Sequence, residues 1–518
     1  MTRFLKWFLA IIVFVIGGYM VAEWQMKKEI IEFLNRKVPN HIDFSYENLD
    51  INLLRGNIEF EKIEVLSSGR QTSSCEIVVD ADKLSIGGFS YWKIFFEKSI
   101  HLKTLTLSKP HLNFKSCPKN KSDNNATKAN PINLLKKIFI EELIFDSGMV
   151  EILNSSGDVE LLSVASIDLK LKNVFTDPKT ITEYVPFRFE EYGITINDLK
   201  APLGEFESVQ MGTMQLDNST ISVKDVILNT IVSKSELSRE ITYQRDHIDL
   251  NIPEILVNDH HYLMRNDSLQ VNFKSLALNL PRLEIYRDKS RLEDFKRKPL
   301  YAEMLRELPF KVNIDSLLIH QATIVYEEDI PNKVKAGILS FENLNASIGN
   351  FSNVDANKEN LKIKINADLM GAGSINLNWE FNVQDPKNTF LISGGLSNFK
   401  TENLNDFLIP NLRTKTTGTI QQLYFTISGD DNVATGDIKM RYEDFKFQVL
   451  NKERSSVKKV LSFIGNLFIS DGSKADEDGY RYGNISSERN KNKSFFNYLW
   501  ISLEDGLLNV LTGNGKKD

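Results

Sequence analysis

The sequence predicts a mainly β protein: an N-terminal transmembrane helix, then an elongated, curled antiparallel β-sheet shaped as a groove, with a few short amphipathic helices. Three observations predict it. Apolar residues recur with period two from Ile42 onward, as in strands with one dry and one wet face. Turn-forming clusters such as Ser155-Ser156-Gly157, Asp217-Asn218 and Ser428-Gly429-Asp430 separate the runs at roughly 8–12-residue spacing. No strand–helix alternation, GxGxxG or Walker-type phosphate loop is present, which argues against an α/β enzyme.

The first element is an apolar run from Trp7 to Ala22. A helix that crosses a bilayer needs ~20 such residues, range ~17–25. Phe4 and Leu5 extend the run across Lys6, whose amine would snorkel to the interface. Trp7 at one end and Tyr19 and Trp24 at the other resemble the aromatic belt of a membrane helix. Residues 1–24 are therefore expected to be a single transmembrane anchor, carried by Trp7, Phe8, Ile11, Ile12, Phe14, Val15, Ile16 and Tyr19. A cleaved signal peptide is the rival. The basic start, Arg3 and Lys6, fits both, but no A-x-A site follows the run. No second apolar span occurs, so the remainder is one body that an N-terminal signal anchor would export. Residues 25–39 are expected to form an amphipathic linker helix. Met26, Ile30, Ile31, Leu34 and Val38 fall near helical spacing, and Pro39 ends it.

Residues 40–283 are expected to form an N-terminal β-groove region, and residues 311–450 a C-terminal β region. The clearest alternation is Leu361, Ile363, Ile365, Ala367 and Leu369, with Lys362, Lys364, Asn366 and Asp368 between. A Gly371-Ala372-Gly373 turn follows, then Ile375, Leu377, Trp379, Phe381 and Val383. That is a hairpin with one apolar face. Leu423, Phe425 and Ile427 continue the pattern. "IHLKTLTLSKPHLNF", "IFIEELIFDSGMVEI" and "FKVNIDSLLIHQATIVY" each read as strand, short turn, strand, and suggest a unit used several times. Residues 284–310 are expected to be a helical insert, with a short helix over Tyr301 to Leu308. Residues 451–518 are expected to hold amphipathic helices over 454–470 and 494–511, with a polar loop at 471–493. Ser116 to Asn130 reads as a second polar loop.

Every apolar face must be covered. A sandwich or barrel would cover it with other strands, whereas a curled single sheet would leave a groove for an apolar ligand. Periodicity leaves both open. The 32 Phe residues suit either a core or acyl chains. The net charge is −6 with no long basic tract, which argues against nucleic acid. No GxSxG or HExxH occurs, so no catalytic residue, cofactor or metal is expected. His260 and His261 are adjacent on one strand and would point to opposite faces. Asp430-Asp431 and Glu327-Glu328-Asp329 read as turn and loop acids. Cys75 and Cys117 are either two free thiols or, outside the cytoplasm, a pair.

Three stretches carry a family resemblance. The apolar helix precedes "IDFSYENLDINLLRGNIEFEKIEV", with Gly56, and then "ADKLSIGGFSYWKIFFEKSIHLKTLTLSKPHLNF", with its Leu105 to Pro110 phrase. The segment from Leu369 to Leu450 has Gly418 and Gly436 in hairpins. "RNKNKSFFNYLWISLEDGL" lies near the C-terminal end of the sequence. Together they resemble the AsmA-like superfamily, in the form found in Bacteroidota. The resemblance covers both ends well and the middle loosely. It implies an inner-membrane anchor and a periplasmic β-groove that carries phospholipid for outer-membrane biogenesis. Acyl chains would then lie along Leu361, Ile363, Ile365, Leu369, Ile375, Leu377, Trp379, Phe381, Val383, Leu423, Phe425 and Ile427. The expected partners are membrane lipids, with envelope proteins as a further class. The alternative is a scaffold or assembly factor acting on outer-membrane proteins through sheet edges.

Overall fold

The structure is a computed structural model. It describes residues 2–37, 42–68, 76–89, 99–115, 137–154, 157, 160–183, 185–265, 268–331, 335–354, 359–451 and 475–512. The fold is mainly β, 63% strand and 16% helical, with 22 strands. It divides into two compact units: Met1–Leu203 with Gln210–Asn218, and Gly204–Val209 with Ser219–Asp518. The break between them falls at residues 204–219, and residue 284, where the expected helical insert begins, lies within a strand.

In the first unit, helix α1 (Thr2–Lys37) is continuous across the expected anchor and linker. Among the described residues no helix is long and apolar enough to cross a membrane. The side chains of Trp7, Phe8, Ile11 and Ile12 lie outside the described residues, as do those of Leu34 and Val38. Phe14, Val15 and Ile16 are exposed. Met26, Ile30 and Ile31 instead pack on Leu49, Ile51, Ile58 and Phe60 of strands β2 (Asn48–Asn52) and β3 (Asn57–Ser68). The amphipathic spacing of the linker thus finds its apolar partner.

The sheet begins with β1 (Ile42–Ser45), which pairs with β3, and continues through β4 (Glu76–Gly87), β5 (Ser99–Ser108), β6 (His111–Lys115), β7 (Lys137–Leu153), β8 (Glu160–Thr176) and β9 (Glu191–Pro202); β10 (Glu207–Asp217) and β11 (Thr220–Thr230) follow in chain order. Strands β5 and β6 pair antiparallel with β4 and parallel with β7. The second unit repeats the arrangement. Strands β13 (Ser268–Asn279) and β14 (Arg282–Asp288) pair antiparallel with β12 (Asp246–Arg265) and parallel with β15 (Lys311–Asp329). The expected purely antiparallel pairing is thereby corrected: each unit holds a crossover to a parallel strand. The kink between the collinear halves is built alike. Lys109 and Leu280 have positive φ, 47° and 54°, and each precedes a proline, Pro110 or Pro281. The amides of Lys109 and Leu280 donate to Asp146 and His320, and the proline carbonyls accept from Met149 and Thr323. The opposing strands bulge at the matching residues, Ser147 and Gln321, also at positive φ. Such bulges bend the strand and add twist. Positive φ recurs at Asn173, Asp198, Asp225, Asp259, Asn343, Asn350, Asn398 and Asp444, residue types that tolerate the left-handed region, and the register shifts again beside Asn343 and Asp444.

The second unit continues through β16 (Gly337–Ser352), β17 (Leu361–Leu369), β18 (Gly373–Phe381), β19 (Phe390–Lys400), β20 (Thr414–Gly429), β21 (Val433–Val449) and β22 (Arg481–Glu488), each antiparallel to the next. Among the described residues four α-helices decorate it: α2 (Lys234–Glu240), α3 (Tyr301–Arg306), α4 (Asn405–Leu412) and the longer α5 (Phe495–Thr512). The expected helix over 494–511 is α5. The expected helical insert 284–310 begins instead as strand β14, since Leu283 and Ile285 alternate with polar residues, and turns helical only at Tyr301. The expected polar loop 471–493 contains strand β22, in which Gly483 and Ile485 are buried. The expected helix 454–470, the polar stretch 116–130, Cys75 and Cys117 lie outside the described residues.

Candidate functional site

The hairpin expected at 361–383 forms as β17 and β18. Leu361 opposes Phe381, Ile363 opposes Trp379, Ile365 opposes Leu377, and Ala367 opposes Ile375. Met370 and Gly371, at φ 54° and 63°, make the turn. Gly373 lies in β18 rather than in the turn, and a Cβ there would meet the Phe399 ring at 2.4 Å. The register carries on through β19 and β20: Leu377 opposes Gly394, and Gly394 opposes Phe425. Period two collects eleven of the twelve expected lining residues around one apolar cluster or its margin, while Ile365 packs against a second cluster of Ala322, Leu344, Ala346 and Ala367.

The structure splits those twelve into two groups. Leu361, Leu369, Phe381, Val383, Leu423 and Ile427 are buried by protein. Ile363, Ile365, Ile375, Leu377, Trp379 and Phe425 are half-buried. Two helical covers explain the first group. At one end α4 packs on β16 and β20, with Leu408 buried. At the other end α5 packs on β21 and β22. Its contact runs through glycine: a Cβ on Gly506 would meet Ile485 at 2.7 Å and Ile438 at 2.8 Å. Phe495 of α5 stacks on Trp379, ring centroids 4.6 Å apart, and meets Phe390 edge-on at 5.3 Å. Tyr301 of α3 meets Trp379 edge-on at 5.5 Å. The cavity left among Trp379, Phe381, Tyr301 and Phe495 is about 10 Å³, room for one water at most. Open lining at Trp379 and Phe381 is therefore corrected: Phe495 and Tyr301 occupy that space.

This cover encloses polar groups without partners. Trp379 Nε1 and Tyr498 Oη are buried and make no hydrogen bond. Each such group costs about 1–3 kcal/mol, which the aromatic packing around it must offset. Burial pushes the Tyr498 phenol well above its ordinary range.

Ion pairs fasten α3 to the strand ends. Arg297 forks onto Glu303 and also reaches Asp431. Arg489, fully buried, pairs with Asp431 and donates to the Lys298 carbonyl. Hydrogen bonds from Arg297 hold the Glu303 carboxyl below its usual value. Burial would raise Asp431, but Lys491, Arg489 and Arg297 outweigh it and hold that carboxyl low as well.

Between the two covers a band of half-buried side chains remains: Ile363, Ile365, Ile375, Leu377 and Phe425. The Phe425 ring lies across Gly394, 2.8 Å from where a Cβ would sit. Nothing in this band is nucleophilic or titratable, and it can offer only apolar contact. Among the described residues no group of three or more His, Cys, Asp or Glu could hold a metal ion. His260 is buried and His261 exposed. Sequence reasoning missed α2, although Ser233 and Glu236 form a capping box that was there to find. It also missed the Arg297–Glu303–Asp431–Arg489 cluster, whose members come from three separate segments.

No family model and no curated protein matches the chain.

Proposed function

We propose that this chain is a non-enzymatic envelope protein. In this reading residues 1–24 hold it in the inner membrane with its body in the periplasm. The protein binds or conducts phospholipid for outer-membrane biogenesis by laying acyl chains along the dry faces of elongated, curled sheets. The half-buried band Ile363, Ile365, Ile375, Leu377 and Phe425 carries the proposal. Its side chains are too apolar for a solvated surface and too open for a finished core. Among the described residues, α4 packs on β16 and β20, α5 on β21 and β22, and α3 meets β18 through Tyr301 and Trp379. An acyl chain laid on the band would gain ~0.8 kcal/mol per CH₂ buried. The AsmA-like resemblance and the bulges that bend the strands support the same reading.

The test is lipid content. The full chain, extracted in mild detergent, is expected to retain phospholipid detectable by mass spectrometry after size exclusion. Lipid-free protein with an unchanged fold would sink the proposal.

A scaffold or assembly factor for outer-membrane proteins is the second reading. The sealed end at Trp379 and Phe381 favours it, because a filled face conducts nothing past that point. Crosslinks to outer-membrane assembly proteins from lipid-free chain would select it.

A further inference from the structure

Beside the covered end of the dry face, residues 293–304 run alongside residues 489–500. The Glu293–Lys493 ion pair, the hydrogen bond from the Lys298 amide to the Lys491 carbonyl, and the Tyr301–Phe496 ring contact at 6.3 Å fix the two segments together. Their outer surface has two properties.

It is apolar where a surface should be polar. Phe295 is 69% exposed, Phe496 63% and Met304 50%. The outermost line of α5 runs through Phe496, Trp500, Glu504 and Leu508, all exposed. A soluble amphipathic helix turns charged or polar residues outward; on this line only Glu504 is polar.

It also turns cations outward, because most of its ion pairs are layered; Glu293–Lys493 runs the other way, with Glu293 40% and Lys493 27% exposed. The acids sit inside: side chains of Glu303, Asp431 and Asp294 are 11%, 17% and 26% exposed. Three of their partners sit outside: Arg297, Lys298 and Lys491 are 46%, 41% and 44% exposed, while the fourth, Arg489, is buried. Lys296, next to Phe295, is exposed as well. The chain as a whole carries −6, so this outward positive layer comes from placement and not from composition.

We propose that this patch docks on an anionic bilayer surface. Charge complementarity selects the occupant. Amines and guanidinium groups interleaved with large aromatic side chains suit the lipid interface, where rings sit at headgroup depth and cations meet phosphates. The proposal holds whether or not lipid also occupies the dry face.

The experiment uses the full chain with p-benzoylphenylalanine in place of Phe496, irradiated with phosphatidylcholine vesicles with or without phosphatidylglycerol. Lipid adducts, read by mass spectrometry, are expected to be about tenfold more abundant with phosphatidylglycerol present, and Lys296→Glu should lower them severalfold. The same photoreactive residue at Leu54, 86% exposed in the other unit, controls for vesicle association through α1 and should show no such preference. Equal yields from both vesicles, equal preference at Leu54, no loss in Lys296→Glu, or crosslinking of Phe496 to protein or nucleic acid in place of lipid would each overturn the proposal.

Discussion

The indole of Trp379 lies flat on the ring of Phe495, with centroids 4.6 Å apart and planes 3° from parallel. This contact joins the dry face of β18 to helix α5. Phe495 is 5% exposed and also touches Tyr301, Phe390 and Phe496. Truncating a buried Phe to Ala costs about 3–5 kcal/mol. Phe495→Ala should destabilise the second unit by that amount, measured by chemical denaturation. The near-ultraviolet circular dichroism of the stacked indole should weaken at the same time. A loss below about 1 kcal/mol would mean that α5 rests on the sheet without being packed into it.

Acid should loosen the same cover. Glu303 and Asp431 are both held below their ordinary carboxyl values by Arg297 and its neighbours. A carboxylate with a depressed folded pKa contributes stability above its unfolded pKa, about 4. That contribution is lost as pH falls through the lower, folded value. The unfolding midpoint should therefore stay level from about pH 7 to 5 and drop below about pH 4. Glu303→Gln should lower the midpoint at pH 7 and flatten the acid limb. An identical acid limb in wild type and Glu303→Gln would show that this carboxyl does not contribute to the effect.

The doubled kink makes a prediction of the opposite sign. Leu280 holds φ at 54° and its side chain is 53% exposed. The left-handed region costs an L-residue roughly 1–2 kcal/mol, while glycine adds about 0.5–1 kcal/mol of chain entropy to be lost on folding. Leu280→Gly should therefore be neutral or stabilising by about 0.5 kcal/mol, read as a raised denaturation midpoint. A clear destabilisation would show that the exposed leucine packs on something that offsets its strain.

What the sequence revealed and what it hid follow from the range of the interactions. The β17–β18 hairpin was legible because the alternation from Leu361 to Phe381 and the turn at Gly371 are both local. Helix α5 was legible as an amphipathic segment, but nothing near Phe495 in the chain states that its ring will rest on Trp379. Strand β22 hid in the polar phrase from Arg481 to Glu488, where only Tyr482 and Ile485 are large and apolar. The parallel pairings hid for a different reason. Crossovers to parallel strands usually advertise themselves with a helix that packs on the sheet; the connection from β14 to β15 holds only the six-residue α3, and the one from β6 to β7 lies outside the described residues. The phrases around Pro110, Ser147 and Gln321 were visible as recurrence, but the one around Pro281 was not among them, and the common kink became apparent only with the positive φ of Lys109 and Leu280.

Leu377 is the residue on which the lipid-binding proposal is most exposed to test. It is half-buried, opposes Ile365 on one side and Gly394 on the other, and lies between the two helical covers. With glycine on one flank, the space beside it is not filled by a side chain of its own row, apart from the Phe425 ring reaching over Gly394. If the band meets only water and neighbouring side chains, Leu377→Asp should cost little more than its share of apolar burial, because the carboxylate stays hydrated. If acyl chains lie there, the charge must be desolvated against hydrocarbon, a far larger penalty. Phospholipid recovered with the purified chain should then fall severalfold while the unfolding midpoint changes little. Leu377→Met, which conserves volume and apolarity, should keep the lipid. Equal lipid in Leu377→Asp and wild type would remove this face from any role in lipid binding.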